Sequence, residues 1–147
     1  MEQPQMVIPL MKMGLGMVTT NIYYLLAAIA FSINGIADMR NRRVYSFPVM
    51  LTYLFGIFIS PYHLVCILGL IFTFLLTDDR LRLKWIGAGD VDAIGLMVSA
   101  IGFATIPYLT IASIMALIWG YVQHEKVIPY VYFIGLSYMI FCIKLYS

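Results

Sequence analysis

Apolar residues along this chain come in long continuous runs, separated by short polar breaks. Runs of this kind argue for helices in apolar surroundings, whereas a membrane barrel would alternate residue by residue. The breaks define six segments, 15–37, 44–60, 61–76, 90–106, 107–122 and 127–145. The first is long enough to cross a hydrocarbon core of about 30 Å at about 1.5 Å per residue. The second and third are short, and the Ser60-Pro61 step between them carries no charge. Proline lacks a backbone donor and resists helix continuation, so a tight hairpin is expected there rather than one long helix. Pro107 likewise marks the start of the fifth segment. The expected fold is all-α, a polytopic bundle of about six transmembrane helices forming a single domain over 1–147. Residues 1–14 hold one acid, two prolines and one lysine, without a small-residue cleavage site before the first span. They are expected to form a surface segment rather than a signal peptide.

Composition agrees with this pattern. Of 147 residues, 63% are hydrophobic and 11% charged, and the mean hydropathy is +0.93. A lipid bilayer is therefore the expected partner. A net charge of +2, with no long basic tract, gives no footing for nucleic acid. Cys66 and Cys142 lie inside apolar runs and have no metal-ligand spacing, so they are expected to pack against neighbouring helices rather than form a disulfide or zinc site. His63 and His124 fall at opposite expected faces, and no metal or cofactor is called for.

The distribution of charge says more than its sum. Arg40, Arg42, Arg43, Arg80, Arg82, Lys84 and Lys126, seven of the nine basic residues, fall in the breaks after the first, third and fifth segments. Lys and Arg beside membrane helices stay on the cytoplasmic side, so these three loops should face in and both termini out. The expected location is the cytoplasmic membrane.

Two acids interrupt this arrangement. Asp38 lies in Ala37-Asp38-Met39-Arg40-Asn41-Arg42-Arg43, and Asp90 ends Gly87-Ala88-Gly89-Asp90. Each sits where a span meets a basic loop, on the same expected face. A carboxylate this close to hydrocarbon is costly, and two together suggest an aspartyl protease at the membrane surface. Such chemistry needs two carboxylates sharing one proton across a water: one takes a proton from the water, the other polarises the scissile carbonyl. Two carboxylates a few ångströms apart cannot both ionise, so proximity itself divides the roles. Gly87 and Gly89 would let a substrate strand approach closely, and Asp90 would sit in the first turn of a helix, where the macrodipole favours negative charge.

With these motifs in view, the chain resembles the type IV prepilin peptidase family, the GXGD membrane aspartyl proteases that include preflagellin peptidases. Gly87-Ala88-Gly89-Asp90-Val91-Asp92, followed by Gly95 and Gly102, resembles the family's second motif, and Asp38 through Val44 its first. Lys126-Val127-Ile128-Pro129-Tyr130-Val131 resembles its proline-bearing final span. The likeness runs over 22–145 in matching order. It implies that Asp38 and Asp90 are the catalytic dyad, and Gly87 and Gly89 the substrate-binding motif. It further implies that the substrate is a prepilin-like membrane protein with a basic leader, cut after a glycine, without a cofactor. Two positions depart from the family: Val44-Tyr45-Ser46 stands where Ile-Pro-Asn is frequent, and Asp92 where lysine is usual. The cysteines of a zinc loop and the length for an N-methyltransferase are lacking, so the chain looks like the short, peptidase-only form.

Other readings stand beside this one. A small transporter or ion-conducting protein would use Asp38 and Asp90 as ion sites, and a degenerate family member would bind pilins without cutting them. Asp92 is expected to point away from Asp90, since residues two apart on a helix face nearly opposite ways. Asp78 and Asp79 read as solvated loop charges. Tyr23, Tyr24, Tyr45, Tyr62 and Trp85 read as interface anchors, and Gly69, Gly95, Ser99, Ala100 and Gly102 as small residues allowing close helix contact.

Overall fold

A computed structural model describes residues 7–41, 43–76, 88–124 and 127–147, with side chains over 16–41, 43–75, 89–124 and 127–147. Among these residues the structure is all-helical, as the apolar runs require. The elements are α1 (Val7–Asn41), α2 (Ser46–Ile59), α3 (His63–Leu76), α4 (Ala88–Ile101), α5 (Thr105–Gln123) and α6 (Tyr130–Tyr146), with a 3-10 turn at Gly102–Ala104. The expected segments are recovered to within a few residues, except that α1 reaches back to Val7 and so takes in half of the expected surface segment. Two helical stretches, Gly16–Asn41 and Gly89–Gln123, are long and apolar enough to cross a membrane, and the remaining helices are apolar but shorter.

The second of those stretches is not one straight rod. Gly102 has φ +57, a left-handed conformation that ends α4, and the ring of Tyr62 occupies the space a Cβ would need there. The sequence expectation of a helix-contact glycine at 102 is thereby corrected: this glycine makes the turn. Beyond it, Tyr108 meets Phe141 and Trp119 meets Phe133, so α5 runs antiparallel to α6. At the Ser60-Pro61 turn the chain also reverses, with the Tyr62 amide bonded to Ser60 Oγ at 3.0 Å. The helices therefore alternate up and down. The ends of α1, α3 and α5 and the starts of α2, α4 and α6 share one end of the bundle.

α4 is the axis, since it touches each of the other five helices. Its small and apolar residues Ala93, Leu96, Met97 and Ala100 are buried, and so is Ser99. From α1 a single stripe at helical spacing enters the core: Tyr23, Ala27, Ala30 and Phe31, then Asn34 and Asp38. The stripe changes from apolar to polar as it nears the C-terminal end of α1. Tyr23, expected at the interface, is instead 0% exposed. Its hydroxyl is 2.7 Å from Ser99 Oγ and 3.4 Å from Cys66 Sγ. A hydroxyl in an apolar core needs such partners, and Ser99 supplies one that no local pattern reveals. Both cysteines are free thiols, Cys66 buried and Cys142 partly so.

Candidate active site

Asp38 lies in the last turn of α1, where an acid faces the negative end of its own helix dipole. It is 8% exposed and turned into the bundle by its place on the α1 stripe. Its Oδ2 accepts hydrogen bonds from the backbone N–H groups of Val131 (3.1 Å) and Tyr132 (3.4 Å), in the first turn of α6. That helix begins after Pro129, which offers no side-chain cap of its own. Asp38 thus acts as a capping group from 93 residues away. It satisfies donors that every helix start leaves open and meets the positive end of the α6 dipole.

The loop beyond α1 is tied back onto the same helix. Asn34, buried on the α1 stripe, accepts the Tyr45 N–H at its Oδ1 (2.8 Å). This bond sets Val44 against the start of α4, where a Cβ on Gly89 would stand 2.5 Å from Val44 Cγ2. Only a residue without a side chain allows that approach. Gly89 therefore has a packing role between the two motifs, which proximity in sequence does not disclose.

Asp90 follows in the first turn of α4, half-buried, as expected from the glycines that precede it. Its carboxyl lies within electrostatic range of Asp38, with burial the larger influence on it. The two acids, 52 residues apart in the chain, are thus brought to one end of the bundle by α1 and α4. Asp92 does face away from them. It is 3% exposed, its Oδ1 accepts the Thr73 hydroxyl of α3 at 2.7 Å, and its carbonyl accepts the Tyr53 hydroxyl at 3.2 Å. Sequence reasoning left it without a role, although a buried acid on the central helix is the costlier of the two acids on α4. Tyr53, also unremarked in the sequence, fills the space beside Gly69 and Gly95 with its ring, so those glycines admit a side chain rather than a second helix backbone.

Gly87, Arg42, Arg80, Arg82, Lys84, Lys126, Asp78, Asp79 and Trp85 lie outside the described residues. Among the described residues no group of three His, Cys, Asp or Glu side chains converges in a way that could hold a metal ion. Comparison with known proteins gives no matching family model, no matching curated protein and no matching solved structure.

Proposed function

We propose that this chain is a membrane aspartyl endopeptidase that removes the leader from prepilin-like or preflagellin-like substrates. The observation that carries this reading is the placement of Asp38 and Asp90 at one end of the bundle, within electrostatic range of each other. In this reading the two carboxylates, one buried and one half-buried, share a single proton across a water. The ionised partner would draw a proton from that water while the protonated one polarises the scissile carbonyl. The role of the α6 start is to hold Asp38 in register, so that the pair need not be organised by substrate. Asp90 sits in the first turn of α4 and is the more accessible of the two.

The bilayer location rests on the surface. Large apolar side chains face outward from α1, α2, α3, α5 and α6 and from the turn after α4, among them Ile29, Phe58, Leu68, Phe103, Leu117 and Ile143. A water-soluble protein rarely carries so much contiguous apolar surface. In this reading all six helices lie in the membrane, both termini face out, and the Asp38–Asp90 end faces the cytoplasm, where the basic loops belong. A substrate would enter with its leader in the cytoplasm and its apolar helix in lipid. Ion-site use of the same acids finds less support, since transport sites usually lie near the midplane and these acids share one end.

The test is leader removal from a co-expressed reporter, a basic leader joined to one apolar helix, in membranes. Asp38→Asn and Asp90→Asn are each expected to lower processing by at least about a hundredfold, the scale of losing an acid–base group. Undiminished processing by both variants would sink the reading.

A further inference from the structure

Among the described residues the dyad leaves one buried carboxylate unused, that of Asp92. It lines a groove of 390 Å³ between α3 and α4. The floor is Tyr53, one wall carries Leu68, Phe72 and Leu75 of α3, and the other carries Val91, Asp92 and Val98 of α4. Leu68, Phe72 and Leu75 are exposed, so the groove opens sideways from the bundle. Because α3 and α4 run antiparallel, Leu75 and Val91 mark the end of the groove beside Asp90, and Leu68 and Val98 its far end. From Val91 to Val98 it extends about 10 Å, or about two helical turns.

We propose, resting on the endopeptidase reading, that this groove receives the first two turns of the substrate's membrane helix and that Asp92 selects helices bearing a hydrogen-bond donor there. Two observations single out this occupant. One end of the groove lies at Val91, the residue following Asp90, and it runs from there along α4, so that a helix seated in it would begin one residue from Asp90. Its lining is apolar apart from Asp92 and the Thr73 and Tyr53 hydroxyls, and of these Thr73 takes one oxygen of a carboxylate with about four acceptor positions. A lipid acyl chain brings no donor to that carboxylate, whereas a serine, glutamine or lysine on an apolar helix does. Apolar side chains of the same helix would fill the rest, in the manner of a helix laid in a groove.

The experiment uses the full chain in membranes with two reporters, each a basic leader, a cleavable junction and a leucine-rich helix. One carries a glutamine in the first two turns of the helix, and the other carries none. A photo-crosslinking residue is placed at Phe72, or at exposed Phe58 of α2 as control, in an Asp90→Asn background that traps uncut reporter. Crosslinking is expected at position 72 and not at 58. Wild-type protein is expected to cleave the glutamine reporter with a KM about tenfold below that of the all-leucine reporter, the worth of one bond to a carboxylate. Asp92→Leu should abolish this preference by bringing the KM values of the two reporters together. A short peptide spanning only the junction checks catalytic integrity, and wild type, Asp92→Leu and the groove-filling Leu68→Trp should cut it equally. Cleavage of both reporters with crosslinks to phospholipid alone, or with equal KM values, overturns the groove and leaves the endopeptidase reading standing. Loss of peptide cleavage in the variants equal to their loss on the reporters also overturns it. Failure of wild type to cut any of the three substrates overturns the endopeptidase reading and this proposal with it.

Discussion

At the C-terminal end of α1 an acid is misplaced by about 0.3–1 kcal/mol with respect to its own helix dipole. For Asp38 the α6 start reverses that balance, because two backbone donors and the positive end of a second dipole converge on one oxygen. The same side chain thus carries a structural task beside the chemical one proposed for it, and substitution can separate the two. Asp38→Ala leaves a buried N–H without a partner and is expected to lower stability by about 1–3 kcal/mol. Asp38→Asn keeps an acceptor oxygen and should recover most of that loss while leader removal stays abolished. Thermal unfolding in detergent, run beside the processing assay, reads both. Equal destabilisation by Ala and Asn would show that capping is not what Asp38 contributes. The sequence made the acid conspicuous, but its capping task was hidden, since Val131 is 93 positions away and nothing near Pro129 announces a missing cap except the lack of Ser, Thr, Asp or Asn.

Among the elements, the α4–α5 junction shows most plainly how one residue sets a chain path. The apolar run through this region is continuous enough to pass for a single long helix, and only Pro107 hints at a boundary. Proline is well tolerated in the first turn of α5, so it marks the new helix without making the turn. Gly102 makes it, at φ +57, with the Tyr62 ring closing the space beside it. Gly102→Ala is expected to cost about 1–3 kcal/mol from backbone strain alone, in addition to the contact with Tyr62. Adding Tyr62→Ala should restore only the part due to that contact, as read by thermal unfolding of the single and double variants. Full recovery in the double variant would mean that the left-handed backbone is no burden. The reversal matters for the site, because it sends α5 back along α6 and brings the start of α6 to Asp38.

For the whole molecule the proposed orientation is open to a direct check. With Cys66 and Cys142 replaced, a cysteine at Ser147 should react with a membrane-impermeant maleimide in intact cells. A cysteine at Arg43 should react only after permeabilisation. The reverse pattern would place the Asp38–Asp90 end outside and exclude a cytoplasmic leader as substrate. What the sequence determined by itself is local in origin. Continuous apolar runs dictate helices, uncharged breaks dictate hairpins, and both can be read without knowing what packs on what. The all-helical class, the six segments to within a few residues and the two acids worth watching all belong to that level. Tertiary structure decided which groups meet. Asp38 reaches the α6 backbone, Asp90 comes within electrostatic range of Asp38, Asp92 turns to Thr73, and Tyr23 enters the core to meet Ser99. Each pairing joins residues on different helices, and a polar group buried in an apolar bundle must find its partner wherever the fold supplies one. No period or propensity along a single helix carries that information.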